Sequence, residues 1–144
     1  MRRKKLTFLL CILAAVLWTG FIFARSLRPA DLSSRESGWL LHLLRRQLPD
    51  LPMLAVRKGA HVLEYLILAL LIGTGAAACR GRAGSLPLLP SLAVAISDEL
   101  IQTMVPGRSG QLTDILLDCG GAGAACLFLA GVFWLRNKGR RHSL

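Results

Sequence analysis

Four apolar stretches alternate with short basic or polar connections, and this alternation constrains the fold more than any other feature of the chain. They cover residues 6–24, 54–79, 86–105 and 112–135. A helix rises about 1.5 Å per residue, so roughly 20 residues cross a hydrocarbon core about 30 Å thick. Inside lipid every backbone N–H and C=O has to be satisfied within the segment, which a helix achieves. The pattern therefore predicts an all-α, polytopic membrane protein with four transmembrane helices, forming one domain over residues 1–144. A composition that is 53% hydrophobic with a formal net charge of +10 agrees, because that combination rarely fits a soluble domain. The cations flank the apolar runs and form no stripe with interleaved aromatics, so no nucleic-acid partner is implied.

A signal peptide would share the basic start and apolar core of residues 1–24, but cleavage after Ala24 would put Ile22 where a small residue is required. Residues 25–53 are polar, with an amphipathic centre. Ser33-Ser34-Arg35-Glu36 offers a capping box, and Trp39, Leu40, Leu43 and Leu44 then share a face opposite His42, Arg45 and Arg46. This predicts a helix lying in the membrane interface, ended by Pro49 and Pro52; a solvated loop helix fits the same pattern. Cys11, Cys79, Cys119 and Cys126 lie in apolar stretches without a Cys-x-x-Cys pair and read as small buried hydrophobes. Ala69, Gly73 and Ala77 recur at four-residue spacing, and Gly120, Gly121, Gly123 and Ala124 cluster in the last stretch. Small residues so placed let helix backbones approach closely.

With four spans, one side of the membrane carries ten of the 18 Lys and Arg residues, at the two termini and the Arg80 to Arg82 turn. The other eight are spread over a longer connection and partly offset by Asp31, Glu36 and Asp50. The bias predicts that both termini are cytoplasmic.

The apolar stretches are interrupted by charge in three places. Arg57, His61 and Glu64 share one helix stripe, with Lys58 and Tyr65 at its edge. Asp98, Glu99 and Gln102 close the third stretch, Pro106-Gly107 supplies a tight turn before Arg108, and Asp114 and Asp118 open the fourth. An ionised side chain in hydrocarbon costs roughly 2.5–3.5 kcal/mol even on the lenient insertion scale, so such residues are candidates for a functional site. Counting helical rise from each span end puts Glu64, Asp98 and Asp118 at one depth, roughly 8–12 Å inside the outer boundary. His61, Glu99, Gln102, Asp114 and Arg108 come above them. A structural ion network fits the same residues, with Arg57 or Lys58 neutralising Glu64 and Arg108 pairing with Asp98, Glu99 or Asp114.

The blocks Arg57-Lys58-Gly59-Ala60-His61-Val62-Leu63-Glu64-Tyr65 and Asp98-Glu99-Leu100-Ile101-Gln102 resemble the hallmarks of the VanZ-like family. So do Pro106-Gly107-Arg108 and Asp114 with Gly121 seven residues on, while Arg25-Ser26 and the serines from Ser33 to Ser37 are similar to that family's first external loop. The resemblance covers nearly the whole chain. It implies a small integral membrane protein of the bacterial envelope, and the family's named member is associated with resistance to the glycopeptide teicoplanin. One departure is Asp118, where the family usually has asparagine.

Three functions are compatible with these residues. In the first, an outward pocket binds a lipid-linked cell-wall precursor or a glycopeptide, with Arg57, Lys58 and Arg108 holding anionic groups. Glu64, Asp98 and Gln102 would position those cations. In the second, a hydrolase or transferase acts on a lipid phosphate. His61, Glu64 and Asp98 are then the catalytic candidates; no cofactor is strongly implied, although with Glu99 these ligand types would suit a divalent cation. The third is a proton-coupled carrier using Glu64 and Asp98 as relays, which for so few spans requires an oligomer.

Overall fold

The computed structural model describes residues 2–81 and 84–141. Five helices occur in the order α1 (Arg2–Ser26), α2 (Ala30–Leu44), α3 (Met53–Arg80), α4 (Leu88–Thr103) and α5 (Leu112–Arg141), with no strand among the described residues. Arg82, one of the ten cations counted for one side, lies outside them.

Side-chain contacts between the helices establish their directions. Trp18, late in α1, donates its indole N–H to the Glu64 carbonyl early in α3 at 2.9 Å, so α1 runs antiparallel to α3. Lys58 meets Asp114 and His61 meets Asp118, pairing the N-terminal turns of α3 and α5, so those two run parallel. At the other end Lys4, Ala77 and Arg136 line one cleft, which puts both ends of the described chain on the same side of the bundle. Helix α4 carries the chain back across.

Three of the helices, α1, α3 and α5, are long and apolar enough to cross a membrane, not four. The third apolar stretch falls short because α4 begins only at Leu88, after Pro87, and stops at Thr103. Its 16 residues rise about 24 Å, and its last turns carry Asp98 and Glu99. The apolar run is longer than the helix because residues 86–87 and 104–105 are apolar without belonging to it.

Helix α3 sits at the centre. Against α5, Ala69 forms a fully buried cluster with Ala122 and Ala125, while Ala124, expected at this contact, is exposed. A Cβ on Gly121 would fall on the Val62 carbonyl oxygen of α3, so the two backbones touch there. Gly120 and Gly123, by contrast, face open space. On the other flank Ala15, Ile22, Tyr65, Leu68 and Ala95 join α1, α3 and α4 in a second buried cluster. Outward-facing positions such as Leu9, Leu17, Leu127 and Phe128 are apolar and exposed, as helices that meet lipid require.

Helix α2 departs from expectation at its start. It begins at Ala30 with Pro29 as N-cap and no side-chain cap bond, so Ser33 lies inside the helix and the capping box is not formed. Ser34 and Ser37 instead bond back to the carbonyls of Ala30 and Ser33. Pro29 starts the helix earlier because its fixed φ suits a helix entry. Trp39, Leu40, Leu43 and Leu44 are exposed while Ser37 and Leu41 are buried, so the apolar face points away from the bundle and a serine face points into it. The expected turn at Pro106-Gly107 is present, with Gly107 at φ +74° and the Arg108 N–H donating to the Val105 carbonyl at 3.1 Å. All four cysteines are unpaired and none is fully buried as expected: Cys79 is exposed, and Cys11, Cys119 and Cys126 are half-buried.

Candidate functional site

The polar residues gather at the end of the bundle where α1 stops and α3 and α5 start. Arg25, in the last turn of α1, forms an ion pair with Glu64 of α3. Neither Arg57 nor Lys58 neutralises Glu64, as the local spacing suggested; its partner comes from a helix 39 residues away in sequence. Lys58 pairs with Asp114 at 3.3 Å.

Arg108 also finds partners other than those expected. Its Nη1 donates to the carbonyls of Arg25 and Ser26, both at 3.3 Å. The last carbonyls of a helix have no intrahelical donor, so Arg108 closes the C-terminus of α1, where a cation is also favoured by the helix dipole. Gln102 donates to Asp98 Oδ2 at 3.1 Å and reaches Ser26 Oγ at 3.5 Å, tying α4 to the same end of α1. Glu99 accepts the Gln111 N–H at 2.6 Å and so holds the connection between α4 and α5.

These contacts make two layers. The outer one is a narrow, half-open cleft of about 20 Å³, room for about one water, lined by Arg25, Ser26, Ser33, Ser37, Arg57, Ala60, His61, Glu64 and Arg108. Beneath it Tyr65, Asp98 and Asp118 are completely buried. Among the described residues the Tyr65 hydroxyl, one oxygen of Asp98 and both of Asp118 have no hydrogen-bond partner. His61 lies between the layers, its Nδ1 3.6 Å from Asp118 Oδ1, beyond hydrogen-bond length but close enough for attraction.

Of the residues singled out from sequence, the fold brings Arg57, His61, Glu64 and Arg108 into the cleft. Tyr65, Asp98 and Asp118 lie beneath it, and Gln102 bridges to its wall. Lys58, Asp114 and Glu99 do not line it. Residue spacing does not find Arg25, Ser26, Ser33 and Ser37. In sequence Arg25 is a charge flanking an apolar run, and the serines resemble a cap. The signals available are the similarity of Arg25-Ser26 and of Ser33 to Ser37 to the first external loop of the family resembled, and the i, i+4 spacing of Ser33 and Ser37 opposite the apolar face of α2.

Charge in the cleft is unbalanced. Among the described lining residues there are three guanidinium groups and one carboxylate, and Glu64 is already engaged by Arg25. Arg57 has no carboxylate at ion-pair distance among the described residues. Burial, and then the neighbouring charge of Arg57, hold the Arg108 pKa below its ordinary value, with Arg25 acting in the same sense and Asp98 and Glu99 against it. Guanidinium groups lining a partly water-excluded space are a receptor for phosphate or carboxylate oxygens. No group of three or more His, Cys, Asp or Glu side chains among the described residues is arranged to hold a metal ion, so the geometry lends no support to a divalent cation.

The Lys58–Asp114 pair is a different case. Its side chains are 31% and 17% exposed, at the rim. Lys58→Ala is expected to lower stability by only about 0.2–1 kcal/mol, the range for such pairs, measured as a small shift in the melting temperature of the purified protein.

The family model VanZ/LLP1 matches residues 9–135, most of the chain. No curated protein and no solved structure matches it.

Proposed function

The chain belongs to the VanZ/LLP1 family, and on that premise we propose that its arginine-lined cleft binds the anionic group of an envelope ligand. The ligand is a lipid-linked cell-wall precursor or a glycopeptide. The cleft faces outward and both termini are cytoplasmic, the arrangement favoured by the excess of Lys and Arg at the opposite end of the bundle. Three helices of transmembrane length and the family together fit a multi-pass membrane protein; a role in glycopeptide resistance would follow from holding either ligand at the membrane surface.

The observation that carries this reading is the excess of guanidinium over carboxylate in the cleft. Arg57 and Arg108 would bind the anion. Arg25 is held by Glu64 and Arg108 by the α1 terminus, so two of the three guanidinium groups stand in fixed positions before a ligand arrives, while Arg57 has no ion-pair partner among the described residues. Pre-positioned donors cost less ordering on binding. The purified protein in lipid nanodiscs should therefore bind inorganic pyrophosphate, followed by calorimetry. Arg57→Ala should weaken that binding by about tenfold or more, the loss of one charge-assisted contact worth about 1.5–3 kcal/mol. Unchanged binding in both Arg57→Ala and Arg108→Ala would refute the reading.

A second reading is favoured by one observation. His61 lines the cleft with Asp118 behind it, an arrangement that can orient an imidazole for proton transfer. A phosphoester held by the arginines would then be a substrate. Product released from a polyprenyl phosphate by wild type and not by His61→Gln would favour this reading over simple binding.

A further inference from the structure

A second space opens beside the cleft. Phe21, Trp39, Leu40 and Val56, with Arg28 also in the wall, form a mainly apolar groove of about 310 Å³ between the end of α1, the middle of α2 and the start of α3. Arg25, Ser37 and Ala60 line both this groove and the anion cleft, so the two are continuous. Phe21 is 45% and Trp39 70% exposed, which leaves the groove open sideways along the outside of the bundle. A larger apolar groove between α1, α3 and α4, around Ile12, Leu68 and Leu89, shares no lining residue with the cleft.

We infer that the groove beside the cleft takes the first part of the apolar chain of a polyprenyl-type lipid phosphate whose phosphate lies among the arginines, the lipid entering sideways between α1 and α2. This rests on the reading of the cleft as an anion site and adds the class of ligand and its route. Arg25 is shared by both spaces: its guanidinium meets Glu64 on the cleft side and lies 5.9 Å from the Phe21 ring on the groove side, where Arg28 adds a second cation to an otherwise mainly apolar wall. The ligand must therefore change from charged to apolar over the same short distance. A phosphate joined directly to a hydrocarbon chain does so. A glycerophospholipid interposes a glycerol and two esters between phosphate and chain, whereas the Phe21 ring centroid lies only 5.9 Å from the Arg25 guanidinium carbon.

The full chain in nanodiscs tests this with a polyprenyl monophosphate carrying a photoreactive group near its phosphate. Saturable cross-links should map to Phe21, Trp39, Leu40 or Val56. They should be displaced by unlabelled polyprenyl monophosphate and not by uncharged polyprenol, and should fall about tenfold in Arg57→Ala, as loss of one charge-assisted contact implies. Leu40→Glu should reduce cross-linking while leaving pyrophosphate binding intact, which also shows that the variant is folded. Saturable, Arg57-dependent cross-links mapping instead to Ile12 or Leu89 would overturn the route but keep the cleft. Equal displacement by phosphatidic acid would overturn the lipid class. Absence of both saturable cross-linking and pyrophosphate binding would remove the underlying anion site itself.

Discussion

Gly121→Ala is expected to lower stability by at least about 3 kcal/mol, at or beyond the upper end of ordinary overpacking. The added methyl would land on the Val62 carbonyl oxygen, with the Val62 carbonyl carbon at 3.1 Å and the Leu66 nitrogen at 3.3 Å. All three atoms belong to the hydrogen-bonded backbone of α3 and cannot swing aside as a side chain would. The helices would have to separate, opening the contact of Ala69 with Ala122 and Ala125. Separation would also move Asp118 away from His61 and Asp114 away from Lys58, so the site would loosen with the fold. Gly120→Ala and Gly123→Ala are the controls, since a Cβ at either meets nothing within 4 Å. Thermal unfolding of the purified variants in detergent checks this; a Gly121→Ala protein that melts with the controls would contradict the close approach.

Arg25→Ala is expected to cost about 3 kcal/mol, because removing one partner of a buried pair leaves the other charge uncompensated. Glu64 is buried and its side chain only 10% exposed, whereas that of Arg25 is 30% exposed, which places the figure at the low end of the range for buried pairs. The sign can be tested independently of its size. Glu64→Gln should be much milder, since a neutral amide can still accept from the guanidinium, and Arg25→Ala combined with Glu64→Gln should recover most of the loss. A double variant no better than Arg25→Ala alone would mean that the arginine acts through packing, for example through its contact with the Phe21 ring at 5.9 Å, and not through charge.

Much of the fold is legible because hydropathy and small-residue spacing are local. The apolar runs mark α1, α3 and α5, and Pro106-Gly107 marks the turn that Gly107 adopts at positive φ. The third run overstates its helix because hydropathy measures apolar length, while the helix is limited by where Pro87 lets it begin. The start of α2 is ambiguous in sequence because two helix-entry signals, Pro29 and Ser33, lie within four residues and composition alone does not rank them.

The candidate site divides along the same line. That Arg57, His61, Glu64, Asp98 and Asp118 are exceptional follows from the sequence by itself, since charge inside apolar helices has to be matched or used. Their partners do not follow. Arg25 reaches Glu64, Arg108 closes α1, and Ser33 and Ser37 complete the cleft only because the end of α1 and the serine face of α2 pack over the start of α3. Helical periodicity relates residues three and four apart, whereas an ion pair between helices depends on direction, rotation and depth. Those are decided by backbone approach at contacts such as Gly121 against Val62, and so belong to the tertiary structure.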